Sequence, residues 1–241
     1  MSTTLYRKYR PQLFSEVVGQ KHIITTLENA LTLGRVGQAY LLTGPHGTGK
    51  TTIARLFAKA INCSERKKNS PEPCNKCQHC LLMAEGRSLD IIEIDAASHT
   101  GVDNIRELRE TVNLPPTLGS HKIYIIDEVH MLSIGAWNAL LKTLEEPPAH
   151  VIFIFATTAL HKVPDTIISR CQRFDLARFP VTLIVHKLTK IAKQEKLKID
   201  AGALEMIALT AEGGMRDAES LLTQIASLEV SPITEDVIIE I

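Results

Sequence analysis

The chain has 241 residues, enough to bury a hydrophobic core and to form more than one domain. Its 27 basic residues balance its 27 acidic residues, so no overall field favours nucleic acid or a membrane surface. The start, MSTTLYRKYR, lacks the apolar region of a signal peptide, and no apolar run approaches the ~20 residues of a membrane span. We therefore expect a cytoplasmic protein that is not bound to a membrane.

Strand and helix patterns alternate through the first 178 residues. Runs of strand length lie at 39–44, 89–95, 122–127, 151–158 and 173–176. The middle three are nearly continuous in Val, Ile and Phe, which is typical of parallel strands covered on both faces. Helical patterns fill the intervals at 23–31, 50–62, 102–112 and 136–146. The alternation predicts an α/β domain over 1–178 that is built on a doubly wound, parallel, five-stranded sheet.

The pattern changes after residue 178. Apolar residues recur at helical spacing within 184–192, 204–211 and 218–225. These three stretches predict a small helical domain over 179–241.

The segment GPHGTGKT, residues 44–51, matches the phosphate-loop pattern G-x-x-x-x-G-K-[ST] between a predicted strand and a predicted helix. Its glycines let backbone N–H groups and the helix N-terminus surround phosphates. Lys50 is expected to reach the β/γ-phosphate oxygens and Thr51 to bind Mg²⁺. The complete pattern in this context argues against an ordinary glycine-rich turn. The predicted nucleotide-binding residues of the loop are Gly44, Pro45, His46, Gly47, Thr48, Gly49, Lys50, Thr51 and Thr52.

The segment KIYIIDEVH supplies two acids at the end of a predicted buried strand. Asp127 is expected to hold Mg²⁺ through water, and Glu128 to polarise an attacking water. The two acids could instead cap the next helix, but the phosphate loop upstream favours a nucleoside triphosphatase. Thr158 ends the next strand, where it could contact the γ-phosphate and the attacking water. The preference of threonine for strands explains its position equally well.

Four of the five cysteines cluster in an insertion at about 63–80. Cys74, Cys77 and Cys80 follow one another at C-x-x-C spacing, and Cys63 can supply a fourth thiolate. Four thiolates favour a closed, structural Zn²⁺ site. An iron–sulfur cluster fits less well because the ferredoxin spacing needs a cysteine where Ala84 stands. A cytoplasmic setting disfavours disulfides.

Arg170 lies in the segment DTIISRCQRF, with no acidic residue among the four positions before it. If Arg170 only formed a local salt bridge, almost any basic residue would serve. A guanidinium that contacts something outside this chain would explain why the residue is an arginine.

Several further motifs carry a family resemblance. With the phosphate loop and the cysteines, they resemble the gamma/tau subunits of bacterial DNA polymerase III, the AAA+ motors of the replicative clamp loader. The resemblance extends over essentially the whole chain. The motifs are YRKYRP (6–11), VVGQ (17–20), EIDAAS (93–98), IIDEVHML (125–132), ALLKTLEEPP (139–148), ATT (156–158), SRC (169–171) and GGMRDA (213–218).

The resemblance implies roles for particular residues. It makes Thr158 the first sensor of the γ-phosphate and Arg216 a second sensor in a helical lid domain. It makes Arg170 an arginine finger that enters the ATP site of a neighbouring subunit. The residues that it places along the adenine and ribose are Arg10, Pro11, Val18 and Gly19.

The resemblance also implies a function and partners. It implies an ATPase that loads the sliding clamp onto primed-template DNA, within a hetero-oligomeric ring of delta, delta-prime and further gamma/tau copies. Family members continue past the lid into a collar domain that holds the ring together. This chain stops at Ile241, so we expect the collar to be absent from it. A DNA-facing role is implied for SHTGVDNIRE (98–107), through backbone N–H groups because cations are few there.

Three alternatives remain open at this point. A delta-prime-like subunit often lacks a working phosphate loop, whereas GPHGTGKT and the acid pair are intact here. A DEAD/DEAH helicase would need a second RecA-like domain in place of the helical segment. The third is a non-catalytic module that binds DNA or a protein partner and is held together by zinc.

Overall fold

The computed structural model describes residues 4–98, 108, 110–228 and 231–239. The predicted DNA-facing segment, apart from Ser98, and most of the helix predicted at 102–112 lie outside these residues. Residues 110–112, at the end of that predicted helix, are helical. In the part of the chain that is described, no helix is both long enough and apolar enough to cross a membrane.

A five-stranded parallel sheet forms the centre of the fold, in the order β2-β3-β4-β1-β5. The prediction of a doubly wound, parallel, five-stranded sheet is confirmed, and β2 begins two residues later than the sequence pattern indicated. The strands are β1 Ala39–Thr43, β2 Ile91–Asp95, β3 Lys122–Asp127, β4 Val151–Thr157 and β5 Gln172–Asp175.

Helices follow the strands and cover both faces of the sheet. Besides the helical residues 110–112, the α-helices of the described residues are α1 Leu5–Lys8, α2 Lys21–Thr32, α3 Lys50–Asn62, α4 Gln78–Ala84, α5 Ile134–Glu145, α6 Asp165–Ile168, α7 Val181–Gln194, α8 Ala201–Thr210, α9 Met215–Ala226 and α10 Glu235–Ile239.

Alternate residues of the central strands enter two different hydrophobic cores. On one face, Ile125 of β3 packs in a cluster with Leu27 of α2 and Phe57 of α3. On the other face, Tyr124 packs with Trp137 of α5. Because β3 and β4 are covered on both faces, nearly every residue in them is apolar and buried.

A third core holds the helices after β5 together. It joins Leu188 of α7, Ile207 of α8 and Leu222 of α9. The predicted helical lid is therefore present. Leu5 of α1 also lies in this core, although the sequence pattern assigned it to the first domain. The boundary at residues 178/179 stays a prediction.

Asp90 stabilises the connection that leads into β3. Its side chain is 3% exposed and accepts hydrogen bonds from the backbone N–H groups of Thr117, Leu118 and Gly119 at 2.6–2.7 Å. Burial alone would raise the pKa of Asp90, but the three donors outweigh it and hold the pKa below the usual 3.8.

We predict that Asp90→Asn lowers the free energy of unfolding by about 2 kcal/mol at pH 7, because the amide offers one acceptor oxygen to three donors. A carboxyl with a lowered pKa contributes stability above its unfolded pKa and loses that contribution as the pH falls through its folded pKa. The difference in the free energy of unfolding between wild type and variant should therefore reach its full value above about pH 5 and should shrink below pH 3.8. Denaturant titrations across this range measure it.

The matched control is Asp175→Asn. Asp175 is exposed and forms a surface ion pair with Arg173, so its loss should cost under about 1 kcal/mol. If Asp90→Asn lowered the free energy of unfolding by the same amount at pH 7 and at pH 2.5, the stabilising role of the Asp90 carboxylate would be contradicted.

Candidate nucleotide-binding site and cysteine cluster

The predicted phosphate loop joins β1 to α3 and is shaped by close backbone contacts. A Cβ on Gly44 would lie 2.5 Å from the carbonyl oxygen of Leu176, so only glycine fits there. Gly49 has a φ of 97°, in the left-handed region, and it immediately precedes α3. The loop N–H groups and the N-terminus of α3 therefore lie together, as an anion site requires.

Lys50 is the first residue of α3, and its side chain lies inside the loop. It is 6% exposed, and its Nζ donates to the carbonyl oxygens of Gly44 and Pro45, both at 2.9 Å. Burial lowers the pKa of Lys50, and the carboxylates of Glu128 and Asp127 counteract this effect.

Thr51 and Asp127, the two residues predicted to hold Mg²⁺, are in direct contact. The Thr51 hydroxyl donates to Oδ2 of Asp127 at 2.5 Å. This bond joins the start of α3 to the end of β3. The two side chains thus present a hydroxyl and a carboxylate, which are the oxygen ligands that Mg²⁺ prefers.

Glu128 adopts an unusual backbone conformation immediately after β3. Its φ is 47°, which is strained for a residue with a side chain and costs about 1–3 kcal/mol. Its Oε2 accepts hydrogen bonds from the Thr158 hydroxyl at 2.9 Å and from the Thr158 N–H at 3.3 Å. The structure therefore brings these two predicted site residues together.

Two residues near Glu128 were missed by the sequence analysis. Nδ1 of His130 lies 3.3 Å from Oε2 of Glu128 and 3.0 Å from the hydroxyl of Thr157, which is fully buried. His130 belongs to the segment DEVH, so its position two residues after Glu128 was the available signal.

A cavity lies between the phosphate loop, the N-terminal segment and the lid. Gly44, Pro45 and Thr158 line an adjoining recess. Gly19 and Arg170 are not among the described residues that line either space. The predicted site residues that line the main cavity are Arg10, Pro11, Val18, His46, Gly47, Thr48, Gly49, Lys50, Thr51, Thr52, Asp127, Glu128 and Arg216.

Gly19 lies behind the cavity wall rather than in it. Its φ is 68°, and a Cβ there would lie 2.9 Å from Cε1 of Phe179, a cavity residue that the sequence analysis did not single out. Gly19 therefore lets Phe179 close this side of the cavity.

The lid reaches the cavity through the start of α9. The N–H of Met215 donates to the carbonyl oxygen of Gly47 at 3.0 Å, and a Cβ on Gly47 would lie 2.7 Å from Cα of Gly214. The guanidinium carbon of Arg216 lies 4.8 Å from the centre of the Tyr6 ring, within cation–π range. Tyr6, another cavity residue, begins the motif YRKYRP but was not predicted individually.

Arg170 lies just after α6, away from the cavity, and its guanidinium is paired within the chain. Nη2 donates to Oε1 of Glu145 at 2.8 Å, and Nη1 donates to the carbonyl oxygen of Thr166 at 2.7 Å. The side chains of Arg170 and Glu145 are 36% and 50% exposed. An acidic partner thus exists, but it lies 25 positions upstream at the end of α5.

The four clustered cysteines have the geometry of a metal site. Their sulfur atoms all lie within 4.8 Å of one another, with Cys74–Cys80 at 4.0 Å and Cys63–Cys77 at 3.9 Å. Four thiolates at about 2.3 Å from one zinc would lie roughly 3.8 Å apart, so the residues fit this ion. Backbone N–H groups of Cys74 and Cys77 also donate to the sulfur atoms, as they do around bound thiolates.

The cysteine insertion is also bound to the N-terminal segment that leads into the cavity. The carboxylate of Glu72 accepts hydrogen bonds from the N–H groups of Phe14 and Ser15 at 2.7 and 2.8 Å. Lys59, a buried residue of α3, donates to Oε1 of Gln12 at 2.7 Å. The first contact holds the backbone, and the second holds the Gln12 side chain, close to the cavity residues Arg10 and Pro11.

Comparisons with protein families match nearly the whole chain. A family described as "DNA polymerase III, delta subunit" matches residues 19–180, and one described as "DNA polymerase III clamp loader subunit, ATPase lid domain" matches residues 183–227. The tau subunit of DNA polymerase III from Bacillus subtilis is 57% identical over 92% of this chain and 39% of that protein. The tau subunit from Escherichia coli is 50% identical over 91% and 34%, respectively.

The gamma subunit from Buchnera aphidicola subsp. Baizongia pistaciae is 45% identical over 97% of this chain. The chain thus spans 39%, 34% and 63% of the lengths of these three relatives. Their identity favours a gamma/tau subunit over the delta-prime-like and helicase alternatives.

Solved structures with low sequence identity share the fold. The Holliday junction branch migration motor RuvB of Thermotoga maritima superposes with a TM-score of 0.68 at 20% identity, over 96% of this chain and 71% of that chain. A "gamma subunit-related protein" from the same organism gives 0.54 at 22% identity, over 86% and 62%. With the family matches, these similarities indicate an AAA+ architecture. The chain belongs to the gamma/tau family of DNA polymerase III clamp-loader subunits and carries the ATPase and lid domains of that family.

Proposed function

We propose that the chain binds and hydrolyses ATP as a motor subunit of the bacterial replicative clamp loader. The observation that carries the proposal is the cluster at the end of β3. There Asp127 contacts Thr51 of the phosphate loop, and Glu128 contacts Thr158. This arrangement joins a phosphate site, a cation site and a carboxylate that can activate water.

The residues divide the chemistry between them. Mg²⁺, when bound, would neutralise phosphate charge. Thr51 and Asp127 would hold this ion, and Lys50 would bind the β/γ-phosphate oxygens. Glu128 would accept a hydrogen bond from the attacking water, with its carboxylate oriented by Thr158.

Arg216 would report the state of the nucleotide to the lid. It lines the cavity from the start of α9, whose backbone contacts the phosphate loop. A guanidinium that binds the γ-phosphate in ATP but not in ADP would change the angle between the lid and the sheet domain. In an assembled ring this angle would set the interface between neighbouring subunits.

The partners are those of the family. We propose assembly with delta, delta-prime and further gamma/tau copies, and action on the sliding clamp and primed-template DNA in the bacterial cytoplasm. ATP binding would allow the ring to hold an open clamp, and hydrolysis would release the clamp closed around DNA. The collar domain of the full-length protein would close the ring.

The proposal is tested with a clamp loader reconstituted from full-length subunits. ATP hydrolysis should increase when the clamp and primed DNA are added together. A rate that does not respond to these additions would refute the motor function.

We predict that Glu128→Gln leaves ATP binding nearly unchanged and lowers turnover by about 10²–10⁴-fold, because the amide cannot accept a proton from water. Lys50→Ala should abolish binding itself. Equilibrium binding of a fluorescent ATP analogue and phosphate release measure the two effects. Glu146→Gln, an exposed change after α5, is the control. Turnover by Glu128→Gln at the wild-type rate would contradict the role of Glu128.

We predict that Arg170→Ala lowers hydrolysis at the neighbouring subunit's site by about 10³–10⁵-fold, as expected for a guanidinium supplied in trans. ATP binding to the variant chain itself should not change. Single-turnover hydrolysis in complexes that contain one variant subunit measures the effect.

Glu145→Gln is the matched control for Arg170. It removes the ion pair within the chain but keeps the guanidinium, so hydrolysis should stay within about twofold of wild type. An equal loss in both variants would mean that Arg170 acts only through this pair. A loss of basal ATPase in isolated Arg170→Ala chains would place the residue at its own site instead.

Zinc would be held by Cys63, Cys74, Cys77 and Cys80, and it would stabilise the insertion without taking part in hydrolysis. We predict one zinc per chain, almost none in Cys80→Ser, and a lower midpoint of thermal unfolding for that variant. Cys171→Ser changes the cysteine outside the cluster and should keep its zinc. Elemental analysis and calorimetry test this, and a Cys80→Ser protein that retains full zinc would exclude the four-thiolate site.

A further inference from the structure

Glu219 is a buried carboxyl in the cavity that the proposed phosphate chemistry does not use. It lies on α9, lines the same cavity as the phosphate loop and is 6% exposed. The Thr223 hydroxyl donates to its backbone carbonyl, but none of the described residues donates a hydrogen bond to its carboxyl. Burial raises the pKa of Glu219 to about 7, against the opposing effect of Lys187. A ligand in the cavity that supplies a donor would therefore add a hydrogen bond to a carboxyl that has none from the described residues.

The position of Glu219 places it beyond the phosphate end of the cavity. Met215, at the start of α9, bonds to Gly47 of the phosphate loop. At 1.5 Å per residue, Glu219 lies roughly 6 Å further along the helix axis than Met215. Arg216 and Glu219 are three positions apart and share a helix face, so the arginine lies nearer the phosphates and the carboxyl lies nearer the group that carries them.

The cavity walls away from the loop suit a nucleoside. Pro11, Val17, Val18 and Phe179 line the cavity with apolar surface that can pack against a flat base. Lys187 also lines it, and its Nζ donates to the carbonyl oxygen of Tyr9 at 3.3 Å, which fixes a cation near Glu219. This cation partly offsets the effect of burial on the pKa of Glu219, and above that pKa the side chain is a carboxylate, which can only accept hydrogen bonds.

We propose that Glu219 recognises the nucleoside part of the bound triphosphate by accepting a hydrogen bond from it. The donor is either the exocyclic amine of the base or a ribose hydroxyl. The inference rests on the proposed function, because it takes ATP as the ligand of this cavity. If the base amine is the donor, Glu219 also disfavours guanine, which presents an acceptor oxygen at the same ring position.

The test compares the equilibrium binding of ATP with that of three analogues. The triphosphate of purine riboside lacks the exocyclic amine, and 2′-deoxy-ATP and 3′-deoxy-ATP each lack one ribose hydroxyl. Glu219→Leu should weaken ATP binding about tenfold, because a hydrogen bond to a charged group is lost. The analogue that lacks the donor should already bind about tenfold more weakly to wild type and should lose little more in the variant. That analogue identifies the group that Glu219 contacts.

Equal losses for all four ligands, or no loss for ATP, would overturn the proposal. If wild type bound none of the triphosphates, the proposed function would fail instead, so the two failures are distinguishable. Glu205→Leu, on the exposed side of α8, is the control and should bind all four ligands as wild type does. Glu219→Gln keeps the side chain's size and should give the same pattern with a smaller loss of affinity. This variant replaces Glu219→Leu in the test if Glu219→Leu does not fold.

Discussion

The pairing of β1, β3 and β4 as adjacent parallel strands is the constraint on which the site depends. Their order, β3-β4-β1, brings three chain segments to one edge of the sheet although they are far apart in sequence. The register aligns Thr43 with Thr157, so the phosphate loop and Thr158 leave the sheet side by side. Asp127 ends the third strand at the same edge, where its carboxylate meets Thr51. The three segments meet there because the carboxyl ends of parallel strands lie at the same edge of a sheet.

The remaining walls of the cavity come from parts of the chain that lie outside the sheet. The N-terminal segment contributes Arg10 and Pro11, and the lid contributes Arg216. The cysteine insertion supports the first of these walls through Glu72, which holds the backbone of Phe14 and Ser15. The N-terminal segment therefore contacts both the insertion and the cavity, although the four sulfur atoms do not line the cavity.

Sequence patterns predict the contiguous parts of this molecule and miss contacts between distant ones. The phosphate loop, the acid pair and the cysteines are predictable because their spacing alone implies the chemistry. The partner of Arg170 is not predictable, because Glu145 comes from another helix and only the packed fold brings the two together. Glu219 follows Ala218 on an amphipathic helix and resembles a solvent-facing residue in the sequence, but the folded chain buries it in the cavity. Gly19 was expected in the cavity but stands behind Phe179, since neighbours along the chain need not share a surface.

The contact between Gly47 and Gly214 has a mechanical consequence. A Cβ on Gly47 would lie 2.7 Å from Cα of Gly214, so the two backbone segments touch directly, with the carboxylate of Asp217 bordering the contact. A shift of the phosphate loop by a fraction of an ångström must therefore displace the start of α9, because packed backbones resist compression. Transmission through the backbone atoms of this contact is steric, so this part of the coupling does not depend on ionic strength. The lid would follow the loop even in conditions that screen every charge in the cavity.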